Sequence, residues 1–273
     1  MRARITLLLL FAILFSFTCL AQTNFEKHFT KKSLRVDFAL SGNWDFQAAA
    51  IQQLREEPVW AGPVKNLIDP FGYGGYYINV YDKAGKELIY SRGFNTLFEE
   101  WRSTEQAKTE TQSWTNSISI PYPKAPVIIE ITARDKADMQ FHLLLKQEID
   151  PASIFIDRGK LKENRITKIQ YNGDSSGKVD LVFLAEGYTA DEQEKFVADA
   201  KRFTEALFKT PPYDTRREDF NIWAVDAVSE ESGTDVSGKG IFKNTALNSG
   251  YYTFGVDPVS YTHLRAHETR RHL

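Results

Sequence analysis

Residues 178–208 constrain the fold more than any other stretch of this chain. Residues 179–185 (VDLVFLA) form an almost unbroken apolar run between Gly177 and Gly187, the pattern of a strand buried on both faces. A helix follows at once. Thr189 is a suitable N-cap and Glu192 stands three residues later, which makes a capping box. Phe196, Ala200, Phe203 and Leu207 then recur at helical spacing as one apolar stripe, and Pro211 and Pro212 stop the helix. Residues 220–228 read as a second strand. Strand, helix, strand predicts a right-handed parallel crossover, the opening unit of an α/β domain.

Residues 22–150 carry strand periodicity instead. Leu34, Val36, Phe38 and Leu40 alternate with polar neighbours. Residues 76–81 and 87–91 flank a short turn containing Gly85 and predict a hairpin. Residues 113–120 alternate and are ended by Pro121 and Pro123; residues 127–133 and 141–149 follow, with a charged turn between them. Short strands separated by turns predict a β-sandwich. Phe94, Leu97, Phe98 and Trp101 have helical spacing and read as core packing, and the same role is expected of Phe71, Tyr73, Tyr76 and Tyr77. Residues 151–177 read as a linker, charged and solvated over 157–168 and looped over 171–177. The expected fold class is therefore a β-sandwich N-terminal domain followed by an incomplete α/β domain over 178–257.

Residues 1–21 have the form of a secretory signal. Arg2 and Arg4 make a positive start, and residues 5–17 are an apolar run shorter than the ~20 residues a membrane-spanning helix needs. Residues 19–21 (CLA) supply a small-residue cleavage site; Thr18 is a poor neighbour for lipid attachment at Cys19. The expectation is an exported protein without a stable membrane span. Cys19 is the only cysteine, so disulfides play no part after cleavage. With 34 basic and 36 acidic residues and no basic stripe, nucleic acid is excluded as the main partner.

Three motifs invite a chemical reading. Residues 173–177 (GDSSG) match the G-x-S-x-G pattern of serine hydrolases, but that serine must sit on a strand-to-helix turn, and Ser175 precedes a strand. Residues 233–240 (GTDVSGKG) come within one residue of a P-loop; Gly240 stands where the magnesium-binding hydroxyl belongs, and no helix pattern follows Lys239. His263, His267 and His272 are three of the five histidines. On a helix His263 and His267 share a face, as zinc requires, but Leu264 follows the first, Ala266 stands where the inverted motif needs glutamate, and Glu268 follows the second. His28 and His142 have no metal-like neighbours.

Residues 179–189 (VDLVFLAEGYT), Pro212-Tyr213, residues 219–225 (DFNIWAV) and 231–235 (ESGTD) resemble the start of the catalytic domain of the IgA-peptidase family of secreted bacterial zinc metallopeptidases. Residues 34–37 (LRVD), 41–43 (SGN), 97–101 (LFEEW) and 121–123 (PYP) are similar to that family's N-terminal β-sandwich domain. The resemblance runs over 22–257. It implies a zincin-like fold, protein substrates, and zinc held by H-E-x-x-H and a downstream ligand, the glutamate activating water. No residue up to Asp257 corresponds to those, so the resemblance assigns no catalytic, cofactor-binding or metal residue. Residues 258–273 (PVSYTHLRAHETRRHL) look like a non-native tail. The expectation is a truncated, inactive piece of a zinc peptidase, with zinc in the parent enzyme and none here. The alternative is an exported β-sandwich adhesin or glycan-binding module without catalysis.

Overall fold

The computed structural model describes residues 23–160 and 164–251, together with the backbone of 260–262. The export segment 1–21, Cys19 and the three tail histidines lie outside the described residues. The elements are α1 (Phe25–His28), β1 (Phe29–Gly42), β2 (Gln47–Glu57), β3 (Tyr76–Asp82), β4 (Leu88–Phe94), α2 (Leu97–Trp101), β5 (Gln112–Pro123), β6 (Val127–Arg134) and β7 (Phe141–Ile149). They continue with β8 (Ile156–Asp157), β9 (Ile166–Gln170), β10 (Val179–Leu184), α3 (Gln193–Leu207), β11 (Phe220–Val225), β12 (Asp235–Val236), β13 (Ser249–Tyr251) and β14 (Ser260–Thr262). Among the described residues, no helix is long and apolar enough to cross a membrane. Two compact units interleave along the chain: 1–30, 63–95 and 123–151 in one, 31–62, 96–122 and 152–273 in the other.

The first unit holds an antiparallel sheet of order β4-β3-β6-β7. The expected hairpin is its β3–β4 pair, and Tyr76, Ile78 and Val80 of central β3 are buried beside Ile129 and Ile131 of β6. The aromatic cluster divides. Tyr76 and Tyr77 are core residues, Tyr77 meeting Phe141 edge-on at 4.9 Å. Phe71 and Tyr73 are not: they stand 70% and 75% exposed on the loop before β3.

The second unit contains a sheet of order β5-β1-β2-β8. Leu34, Val36, Phe38 and Leu40 are fully buried along β1, as their alternation predicts. A bulge between Asp37 and Phe38 interrupts the pairing with β2. There the buried Asp37 carboxylate accepts from Ser117 and faces the Arg35 guanidinium, 3.3 Å away. Strand β2 was not legible, because its alanines carry no strand preference; its pairing with β1 creates it. Pro121 does not end β5 but lies inside it, as the outer position of β5 in the sheet permits, and Pro123 is its last residue. In α2, Thr96 caps the helix through the Glu99 N–H, and Phe98 and Trp101 are buried as expected, whereas Leu97 is 46% exposed and not a core residue.

The same unit contains a three-stranded sheet of order β10-β11-β9. Strands β10 and β11 run parallel, Val179 beside Phe220 through Leu184 beside Val225, with α3 between them in sequence. The segment read as a linker supplies two strands: β8 pairs with β2, and β9 pairs antiparallel with β11. The capping box forms, with one turn of 3₁₀ helix over 190–192 ahead of α3. The apolar stripe shifts by one residue. Phe196, Ala200 and Thr204 are buried, whereas Phe203 is 51% exposed under the Arg202 guanidinium. Phe196 and Ala200 pack on Ala185 and Ala224, with Phe183 and Val197 at the margin. Strand β10 is not buried on both faces. It is the outer strand, and Val179, Val182 and Leu184 remain substantially exposed.

On the solvent side of α3, Asp199 collects Lys195 at 3.1 Å, Arg202 at 3.0 Å and the Tyr188 hydroxyl at 3.0 Å. These bonds hold its carboxyl at about 2, against the ordinary 3.8. A depressed carboxyl stabilises the fold above its unfolded value and loses that contribution as pH falls. An Asp199→Asn variant should therefore melt below the parent at pH 6, and the difference should vanish near pH 2. Thermal unfolding followed by circular dichroism at the two pH values checks this.

Candidate functional site

In open sheets with parallel strands, crevices form beyond the strands' carboxyl ends. Here β10 ends in Ala185-Glu186-Gly187-Tyr188, and a cleft of about 490 Å³ opens beside it. Its walls are residues 186–195 on one side and residues 232–251 on the other.

Glu186 organises the cleft. One carboxylate oxygen accepts from the Ser249 N–H at 2.9 Å, the Ser249 hydroxyl at 2.8 Å and the Thr245 hydroxyl at 2.5 Å. The other accepts from the Leu247 N–H at 2.8 Å. Gly187 adopts φ +73°, and its N–H donates to the buried Ser229 hydroxyl at 3.0 Å. A Cβ at Gly187 would lie 2.1 Å from the Gly233 carbonyl oxygen, so only glycine fits. The Gly233 N–H in turn donates to the Gly187 carbonyl at 2.9 Å. Tyr188 packs its ring on Phe196. Glu192 accepts from the Thr189 N–H and hydroxyl, and also from Ser232 at 3.0 Å.

The opposite wall is bound as tightly. Thr234 donates to the Ser249 carbonyl, Glu231 accepts the Asn244 N–H, and Asp235 accepts the Lys243 N–H. Every polar side chain of 186–192 and 231–235 named here thus holds the scaffold together. The sequence reading found the stretch but missed the role of Glu186; an acidic residue placed directly before a glycine at the end of an apolar strand was the available signal.

The three motifs resolve as follows. Ser175 lies in a 3₁₀ turn before β10, capped by Asp174. Burial pushes the Asp180 carboxyl up, but Ser175, the Trp223 indole at 2.8 Å and the Asn221 amide at 2.9 Å outweigh it and leave it below the usual range. Residues 237–240 form a closed turn between Val236 and Ile241, with Gly240 at φ +67° and no helix behind Lys239. His142 pairs with Asp138 at 2.8 Å on an exposed face, and His28 lies against Phe29. Among the described residues no group of three or more His, Cys, Asp or Glu is placed to hold a metal ion. In the cleft, Glu186 and Glu192 spend most of their lone pairs on N–H and O–H donors.

Two substitutions test this construction. Glu186→Gln places an NH₂ against the Leu247 N–H and should cost about 1–3 kcal/mol, with faster amide exchange at Leu247 and Ser249. Gly187→Ala should cost about 1–3 kcal/mol through the forced approach to Gly233. Chemical denaturation with amide exchange reads both.

Two family descriptions match the chain in order: Peptidase M64 N-terminus over residues 24–144 and IgA Peptidase M64 over residues 167–272. No curated protein matches it significantly. The second match continues past residue 257, where the resemblance read from the sequence ends, and takes in His263, His267, Glu268 and His272. His267-Glu268 is followed by His272 five residues on, not four. On a helix that spacing turns the second imidazole roughly 140° from the first. The ordered pair of matches, with the 186–192 and 231–235 segments built into one cleft, places the chain in the IgA peptidase M64 family.

Proposed function

We infer that this chain carries the opening part of a zincin-like catalytic domain, from an exported bacterial peptidase that uses zinc to hydrolyse protein substrates. The observation that carries the reading is the parallel β10–α3–β11 unit with its cleft at the carboxyl end of β10, within the span of the peptidase match. Export is supported by Arg2, Arg4 and the apolar run 5–17.

The described residues contribute framework to this activity. Glu186, Gly187 and Ser229 fix the 230–251 loops against the end of β10, and the capping box fixes the start of α3 beside them. This wall gives an extended peptide a rigid boundary. Zinc would supply the Lewis acid that polarises the peptide carbonyl. No described residue is assigned a part in holding it or a catalytic step.

The 273-residue chain is expected to retain well under one equivalent of zinc after dialysis and to leave casein intact. Stoichiometric zinc that a chelator removes and His267→Ala abolishes, with casein cleavage, would overturn the expectation that this chain is inactive. The genomic reading frame past codon 257 tests the peptidase assignment itself: a frame with no H-E-x-x-H downstream would overturn it.

A further inference from the structure

We draw no further inference here: the strongest candidate, the face of the β10-β11-β9 sheet turned away from α3, where Val182, Leu184 and Ile166 stand exposed beside Trp223 and Val225, carries none because nothing among the described residues shows what covers it.

Discussion

One carboxylate fixes the loops at the carboxyl end of β10. Glu186 accepts four hydrogen bonds from residues that lie up to 63 positions later in sequence. Bonds to an ionised acceptor are stronger than neutral ones, and two of these satisfy backbone N–H groups that would otherwise need another partner. The contact also sets the geometry around it. With the 245–249 segment anchored, the Ser229 hydroxyl accepts both the Gly187 and the Ala246 N–H groups, and Gly233 can close to hydrogen-bonding distance of Gly187. The capping box then starts α3 from a fixed point. A cleft wall made from several loop segments would be mobile without such a hub; with it, the wall behaves as one piece.

What was legible in the sequence was local. The alternation of Leu34, Val36, Phe38 and Leu40 is a property of one strand, and the Thr189–Glu192 box is a property of one helical turn. Both are present as read. What was not legible depends on neighbours distant in sequence. Residues 47–57 carry three consecutive alanines and become a strand because β1 pairs with them. Pro121 and Pro123 would break an inner strand, but β5 is an outer one. The one-residue shift of the α3 stripe has the same origin: periodicity allows either Phe203 or Thr204 inward, and the packing of Ala200 on Ala185 and Ala224 decides it.

The candidate site was legible as a location and not as a mechanism. A serine, a lysine or a carboxylate performs chemistry only when a lone pair or proton is left to offer. Asp180 is engaged by Asn221 and Trp223, Glu192 by Thr189 and Ser232, and Glu231 by Asn244. Sequence patterns report which groups are near one another along the chain and cannot report which are already bonded. The exposed pair Phe71 and Tyr73 shows the converse. A run of aromatics reads as core, and only the bonds of Asp69 and Arg134 reveal that the loop turns two of them outward.

The composition of β10 follows from the asymmetry of its sheet. Phe183 and Ala185 face α3, and on the opposite face Val182 and Leu184 lie beside Trp223 and Val225. The cohesion of this part therefore resides on the α3 side, where Phe196 and Ala200 fill the space. An outer strand that keeps apolar residues exposed is a template for unwanted pairing. Asp180 opposes that. It stands on the same face as Val182, and it accepts hydrogen bonds from Asn221 and Trp223 that help hold its carboxyl below the usual range. A charge fixed on the outer strand disfavours a second strand laid along it, while the same two bonds tie β10 to β11. Asp180 thus interrupts an apolar run for two physical reasons, neither of them catalytic.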